Sequence, residues 1–139
     1  PRTDLIIVTT PAVSAQKVAI RAADMARRSF LRVAGVIENM SWFTGEHGSS
    51  YPLFGEGGGR ALANDIGAEL LGRIPLEPAV AHGGDVGEPI ALSGSSAAAR
   101  IFADIAAHIE STTVSMSELS GCSARDESVV AVAVRGQSR

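Results

Sequence analysis

Three short, uninterrupted apolar runs dominate this chain, and each is followed by a stretch with the spacing of a helix. The runs cover residues 4–10, 33–38 and 70–74. A continuous apolar run of this length is typical of a parallel strand buried on both faces of its sheet. The helical stretches cover 14–29, 59–66 and a region from 96 onward. This order, β-α-β-α-β-α, predicts an α/β fold with parallel strands and right-handed crossovers.

Cap and turn residues set the predicted boundaries. Ser14 and Ser96 are the predicted N-caps of the first and last helices, and Gly67 is the predicted C-cap of the second. Pro75 ends the third strand, and the glycine-rich polar segment 81–95 is predicted to be an irregular loop. Helical spacing gives the first and last helices one apolar face each. These faces comprise Val18, Ala22, Met25 and Ala26 in the first helix and Ile101, Phe102, Ile105 and Ile109 in the last.

The charge and the hydrophobic pattern of the chain argue against nucleic acid and membranes as binding partners. The net charge is −3, and the basic residues do not group with aromatic residues, so no nucleic-acid surface is predicted. No apolar run approaches the roughly 18 residues that a membrane span needs, so no membrane association is predicted. The single cysteine, Cys122, excludes an intrachain disulfide and indicates a cytoplasmic location.

The chain divides into two regions of different character. Residues 1–110 carry the periodic pattern of a folded domain, whereas 111–139 are rich in serine and show no clear periodicity. We interpret 111–139 as a disordered tail.

Catalytic and metal-binding patterns are not found in the sequence. Lys17 is the only lysine and is followed by Val18, so the 139 residues contain no Gly-Lys-Ser/Thr element of a P-loop. The three histidines show no catalytic or metal-ligating spacing. We therefore predict no catalytic residue and no metal ligand in this chain.

A polar pair, Glu38-Asn39, stands where the second strand should end. Ligands of open α/β sheets bind beyond the carboxyl ends of the strands, and an asparagine amide offers the donor and acceptor that the edge of adenine requires. An asparagine that only forms a turn is the alternative, and these residues by themselves favour it. The run Gly57–Gly59 could cradle a phosphate, but we interpret it as a tight turn into a helix.

Three motifs together carry a family resemblance. They are GVIENMSWFTGEHGSSYPLFGEGGG at 35–59, IPLEP at 74–78 and GGDVGEP at 83–89. In this order they closely resemble the Mrp/NBP35 (ApbC-like) ATPases, which are iron–sulfur cluster carriers in the MinD/ParA group of P-loop NTPases. The resemblance runs from about Asp4 to about Ile109 and covers only the C-terminal half of such a protein.

The resemblance implies a partial, Rossmann-like P-loop NTPase sheet and a nucleotide site. In the intact protein Asn39 would recognise adenine, while the loop with Pro75 and Leu76 would wrap the base with backbone groups. ATP and Mg²⁺ are the implied cofactors, and a homodimer and iron–sulfur apo-proteins are the implied partners. Many members bind a 4Fe–4S cluster through a Cys-x-x-Cys pair, but the corresponding positions here are Gly45 and Gly48. Cluster binding by that motif is therefore not expected.

Four interpretations follow. The first is the C-terminal half of a cluster-carrier ATPase, which alone would not hydrolyse ATP because it lacks the P-loop lysine. The others are a fragment of a MinD/ParA-type partitioning ATPase, a non-catalytic module that pairs with a separate P-loop chain, and a truncated gene product without function.

Overall fold

The computed structural model describes residues 3–92 and 94–112. Its main sheet has three parallel strands in the order β1-β2-β5, formed by β1 (Asp4–Thr9), β2 (Arg32–Glu38) and β5 (Leu70–Arg73). The predicted α/β fold with parallel strands is confirmed. A two-stranded antiparallel hairpin, β3 (Phe43–Thr44) and β4 (Ser50–Tyr51), follows β2 and was not predicted.

Four helices complete the described part, together with two short 3₁₀ segments. The helices are α1 (Val13–Arg28), α2 (Gly58–Ile66), α3 (Pro78–Val86) and α4 (Ala97–Thr112), and the 3₁₀ segments are Glu46–Gly48 and Ile90–Leu92. The predicted tail, 111–139, lies outside the described residues apart from Ser111 and Thr112, which end α4.

Each face of the sheet carries its own apolar core. On one face, α1 and α2 pack on the strands around Ala23, Val36 and Leu62, which are fully buried. On the other face, α4 packs on β5. All four residues predicted for the apolar face of the last helix contribute to this second core: Ile101, Phe102, Ile105 and Ile109. The helices therefore cover both faces, as a parallel sheet requires.

The apolar face predicted for α1 is only partly correct. Ala26 is buried, but Val18 and Met25 are 48% and 54% exposed, and the residues that pack inward are Ala19, Ala23 and Ala26. Val18, Ala22 and Met25 instead line an open groove beside β1. Because β1 is an outer strand of the sheet formed by the described residues, these residues provide no further strand on which α1 could pack this face.

Two predicted helix caps are confirmed and one is wrong. Gly67 has φ 68° and closes α2, and the hydroxyl of Ser96 accepts a hydrogen bond from the amide of Ala99 at 3.1 Å. Ser14, in contrast, lies inside α1, whose N-cap is Ala12 with no side-chain hydrogen bond. The N-cap of α1 therefore lies two residues earlier than the hydroxyl suggested.

The segment 81–95 is not the irregular loop that its glycines predicted, because residues 81–86 belong to α3. Pro78 provides a first helical residue with a suitable φ, and Gly87, with φ 75°, ends the helix. Gly83 is buried where the chain folds back, and its carbonyl accepts a hydrogen bond from the Glu88 amide at 2.8 Å. The glycine therefore permits close backbone packing within a helix rather than a turn.

Candidate functional site

The segments that follow β2 and β5 remain joined by backbone hydrogen bonds beyond the ends of the two strands. The Ile74 amide donates to the Glu38 carbonyl at 2.8 Å, and the Ser41 amide donates to the Ile74 carbonyl at 2.9 Å. The Leu76 amide then donates to the Trp42 carbonyl at 2.7 Å. These bonds hold 39–43 beside 74–76, so the three predicted site residues, Asn39, Pro75 and Leu76, lie at the same carboxyl edge of the sheet.

Asn39 lies at the end of β2 with its side chain half-buried. Its backbone amide donates to the Thr9 carbonyl at 2.7 Å, which also joins it to the end of β1. Its side-chain oxygen accepts the amide of Met40 at 2.9 Å, while its Nδ2 donates to no group among the described residues. A donor and a second lone pair of the oxygen therefore remain for a ligand.

Pro75 and Leu76 offer a ligand fewer groups than their sequence suggested. Pro75 is buried and has no N–H, and the Leu76 N–H is already bound to Trp42. A base at this loop would therefore meet the carbonyl groups of these residues, which accept hydrogen bonds.

Glu38 is a central residue of this edge that the sequence interpretation did not single out. Its side chain is only 1% exposed, yet its carboxylate accepts three hydrogen bonds from different parts of the fold. The donors are the Ser41 hydroxyl at 2.8 Å, the Gly59 amide at 2.5 Å and Nε of Arg73 at 2.9 Å. A glutamate is almost never fully buried without partners. A glutamate at the end of a buried strand was therefore the feature of the sequence that could have indicated this site.

The electrostatics of this edge keep Glu38 ionised. Burial alone would raise the pKa of the carboxyl group, because the charged form loses its hydration. The hydrogen bonds from Gly59, Arg73 and Ser41, together with the positive charge of Arg73, outweigh burial and hold the pKa of Glu38 below its ordinary value.

A β-bulge places Arg73 on the same face as Glu38. Val36 pairs with Leu70, but the next residue of β2, Ile37, pairs with Gly72, so Leu71 is the additional residue. Leu71 packs in the second core, and a Cβ on Gly72 would also point there, 2.6 Å from Cδ1 of Ile105. With two successive residues on that face, Arg73 falls on the opposite one, where it contacts the carboxylate.

Arg73 also contacts the aromatic residue of the loop. Its guanidinium carbon lies 5.6 Å from the centre of the Trp42 ring, a distance at which the cation is attracted to the ring face. The side chain of Arg73 is 46% exposed, so one end is held by buried Glu38 and the other reaches the surface.

The run Gly57–Gly59 forms the start of α2 and packs against Glu38. Gly57 has φ 73°, and a Cβ on Gly59 would lie 2.6 Å from Cβ of Glu38, so a side chain there would displace the glutamate. The Gly59 amide at the start of α2 already binds a carboxylate. The anion site that a helix N-terminus provides is therefore filled by the protein itself.

Glu77 has a role that its sequence context left open. Its Oε1 accepts the Ala98 amide at 3.0 Å, so it caps the first turn of α4 together with Ser96. This contact ties the loop after Pro75 to the helix on the opposite face of the sheet.

Comparison with known proteins assigns the family. Residues 1–110 match the family described as "ParA: NUBPL iron-transfer P-loop NTPase". The chain belongs to this family. It is also 44% identical over 104 residues to an iron-sulfur cluster carrier protein of Mycobacterium bovis, a match that covers 70% of this chain and 27% of that protein. A relative of the same name in Pyrococcus abyssi is 40% identical over 106 residues, covering 73% of this chain and 35% of the relative.

Solved structures show the same fold. The cell division ATPase MinD of Pyrococcus furiosus matches with a TM-score of 0.58 at 23% identity, covering 76% of this chain and 41% of MinD. MinD of Aquifex aeolicus also gives a TM-score of 0.58, at 24% identity, covering 78% and 44%. The chain thus spans about a third of the length of the curated relatives and less than half of these structures.

For a member of an iron-transfer family, the loop between β3 and β4 is of interest because it holds Gly45 and Gly48. Neither has a side chain that could bind iron, and His47 between them is exposed with φ 61°. Within residues 3–92 and 94–112, no group of three or more His, Cys, Asp and Glu side chains could hold a metal ion. The same residues include no helix long and apolar enough to cross a membrane. Cys122 lies outside the described residues.

An apolar groove borders this edge of the P-loop NTPase fold. It has a volume of about 450 Å³ and runs between β1 and α1 up to Asn39 and Met40. Val8, Val18 and Met25 line it and are 43%, 48% and 54% exposed. In the described part of the chain no strand pairs with the outer side of β1, and this open side and the groove lie next to Asn39, the predicted base-binding residue.

Proposed function

We propose that this chain provides the base-binding part of the nucleotide site in an iron–sulfur cluster carrier of the P-loop NTPase group. The observation that carries the proposal is the pairing of 39–43 with 74–76, which brings Asn39, Pro75 and Leu76 to one carboxyl edge of a parallel sheet. Nucleotides bind at that edge in open α/β folds. Membership of the iron-transfer family supports the choice of cargo.

The available groups fit an adenine base. Nδ2 of Asn39 can donate to a ring nitrogen of adenine, while its Oδ1 can accept from the 6-amino group in addition to the Met40 amide. The carbonyl groups of Pro75 and Leu76 are further acceptors for that amino group. A guanine base presents a carbonyl oxygen in place of the 6-amino group, and this oxygen would lie against the acceptor oxygens of Asn39, Pro75 and Leu76, with Nδ2 of Asn39 as the one donor opposite it. We therefore expect a preference for adenine.

The phosphates and Mg²⁺ of ATP require residues that this sequence does not contain. The only lysine, Lys17, lies within α1 and is not part of a P-loop element. We therefore infer that the P-loop lysine and the magnesium ligands come from chain outside these 139 residues. The apolar groove beside β1 supports this inference, because an additional parallel strand at that edge would cover Val8, Val18 and Met25.

The transport of an iron–sulfur cluster is the less specific part of the proposal, because it rests on the family rather than on ligands seen in this chain. Iron–sulfur clusters are held by cysteine thiolates, and the residues of the β3–β4 loop do not fit a cluster. The cargo would need ligands outside the described part of this chain. A homodimer and iron–sulfur apo-proteins as recipients remain proposals that rest on the family alone.

The proposal is tested by adding AMP to the ¹⁵N-labelled chain and following the side-chain amides of its two asparagines. We expect AMP to shift the Asn39 side-chain amide and the amides of Met40 and Leu76. Asn39→Ala should weaken binding, whereas Asn64→Ala, an exposed position on α2, should leave it unchanged. Equal AMP affinity in both variants, or no shift at residues 39–43 and 74–76, would exclude base binding at this edge.

A second candidate function is a non-catalytic module that pairs with a separately encoded P-loop chain. The groove beside β1 favours it, because such a surface is costly to leave in water. Co-purification from the native source separates the two cases. A P-loop segment on the same polypeptide supports the first proposal, and a distinct P-loop protein in stoichiometric amount supports the second.

A further inference from the structure

We propose that Glu38 is the positioning residue for base recognition, because it fixes both ends of the turn that contains Asn39. This inference rests on the function proposed above and names a residue that acts through Asn39 rather than on the nucleotide. The buried carboxylate has no other evident chemical task, since it is enclosed by protein groups and only 1% exposed.

The turn from Glu38 to Ser41 is strained and requires support. Met40 has φ 54°, a left-handed conformation that is unfavourable for a residue with a side chain. Such a conformation persists only where its surroundings impose it. Asn39 directly precedes Met40, so the orientation of its amide depends on whether this turn is held.

Glu38 holds the turn at its far end through Ser41. The Ser41 hydroxyl oxygen lies 2.9 Å from the carbonyl oxygen of Glu38 and 2.8 Å from Oε1 of the same residue, so its single proton is shared between the backbone and the side chain of Glu38. Ser41 is itself fully buried, and its amide donates to the Ile74 carbonyl. The last residue of the turn is thereby fixed to the first residue and to the end of β5.

Glu38 is in turn immobilised from two other elements. The Gly59 amide binds Oε2 from the start of α2, and Arg73 binds Oε1 from the end of β5. A carboxylate held from three directions has one orientation available. The local geometry of Asn39 is therefore set by α2, β5 and the loop together, with Glu38 as their common acceptor.

Glu38→Gln is the informative change because it preserves the shape of the side chain. A glutamine has one oxygen and one NH₂ group, so it cannot accept from Gly59 and Arg73 on separate oxygens. Ser41→Ala is the second variant: it keeps the carboxylate and removes only the hydroxyl that ties the turn. Glu69→Gln is the matched control, because the Glu69 side chain is exposed and pairs with His108, away from Glu38 and Asn39.

The first measurement is amide hydrogen exchange of the full chain without nucleotide. We expect the Met40 amide, which binds Oδ1 of Asn39, to lose roughly tenfold or more in protection in Glu38→Gln and in Ser41→Ala. Protection of buried Ala23 in α1 reports the global stability and is used to correct each variant. Unchanged corrected protection of Met40 in Ser41→Ala, and in Glu38→Gln where that variant is stable enough to measure, would overturn the inference.

The second measurement compares binding of AMP and of IMP, which has a carbonyl in place of the 6-amino group. Glu38→Gln should lower the preference for AMP by roughly 5-fold or more, the lower range for a bidentate base contact. In the Asn39→Ala background the same change should have no further effect, because the two residues act in series. Glu69→Gln should leave the preference unchanged.

The base-binding function and the positioning role of Glu38 can be refuted separately. If Asn39→Ala leaves the AMP preference intact, the proposed base-binding function is wrong, and the exchange data alone decide whether Glu38 holds the turn. If Asn39→Ala removes the preference but Glu38→Gln does not, base binding stands and the positioning role of Glu38 is wrong.

Discussion

The adjacent glycines of α3 provide a sharp test of the structure, because substituting each with alanine should have opposite consequences. Both lie within Pro78–Val86, so both substitutions gain the helix propensity that alanine has over glycine. A Cβ on Gly84 would meet nothing within 4 Å. A Cβ on Gly83 would lie 2.5 Å from the carbonyl oxygen of Glu88 and 3.4 Å from the amide nitrogen of Ile90.

The magnitudes follow from these distances. Gly84→Ala should raise the free energy of unfolding by roughly 0.5–1 kcal/mol, the penalty that glycine carries in a helix. Gly83→Ala gains the same amount but pushes against backbone, which cannot rotate away as a side chain can. Moving that backbone strains or breaks the bond from the Glu88 amide to the Gly83 carbonyl. Overpacking of this kind costs about 1–3 kcal/mol, so Gly83→Ala should be less stable than Gly84→Ala by that amount.

Urea denaturation followed by far-ultraviolet circular dichroism measures both values. The m-value should be the same in both variants if only the folded state is affected. Equal free energies of unfolding for the two variants would refute the helical geometry of this segment. That outcome would support the prediction, based on glycine content, that 81–95 form an irregular loop.

Three further predictions address the site. Glu38→Gln should lower the free energy of unfolding by roughly 1–3 kcal/mol at neutral pH, since a buried donor loses its acceptor. Because the pKa of Glu38 is held below its ordinary value, the difference from the unmodified chain should shrink as the pH falls below that ordinary value, and a difference independent of pH would contradict the assignment. Glu77→Ala should cost about 1 kcal/mol in the same urea assay by uncapping the Ala98 amide, and a loss below about 0.3 kcal/mol would argue against the cap. The purified chain with ATP and Mg²⁺ should release no phosphate above a buffer control. ATP hydrolysis by this chain would contradict the inference that the P-loop lysine lies outside these residues.

The layout of the sheet was predictable because buried parallel strands and amphipathic helices leave periodic patterns. The helix end at Gly67 and the cap at Ser96 were also correct, since a left-handed C-cap and a hydroxyl N-cap are local chemistry. The prediction of Ser14 as the N-cap of α1 was wrong, because a hydroxyl near the start of a helix is only a candidate cap. Whether it caps depends on where the chain leaves β1, which local sequence does not determine.

The parts that sequence could not supply depend on contacts between distant residues. Gly83 resembles a turn former until the close approach of Glu88 is known. The pairing of Glu38 with Gly59 and Arg73 spans 21 and 35 positions along the chain. Arg73 reaches Glu38 only because a bulge at Leu71 changes the face on which it lies, and no periodicity in β5 reveals that bulge.

The occupied N-terminus of α2 limits where the phosphates of a nucleotide bound at the proposed base site could lie. A glycine-rich turn into a helix is the arrangement that P-loops use to bind anions. Here the Gly59 amide already binds the buried carboxylate of Glu38, and a phosphate would meet that negative charge in a region of low dielectric. The carboxylate therefore excludes the anion from α2 and at the same time holds the turn of Asn39. A nucleotide whose base lies against Asn39 must then carry its phosphates away from α2. The open side of β1, whose last residue binds the Asn39 amide, is where a phosphate-binding strand could join the sheet.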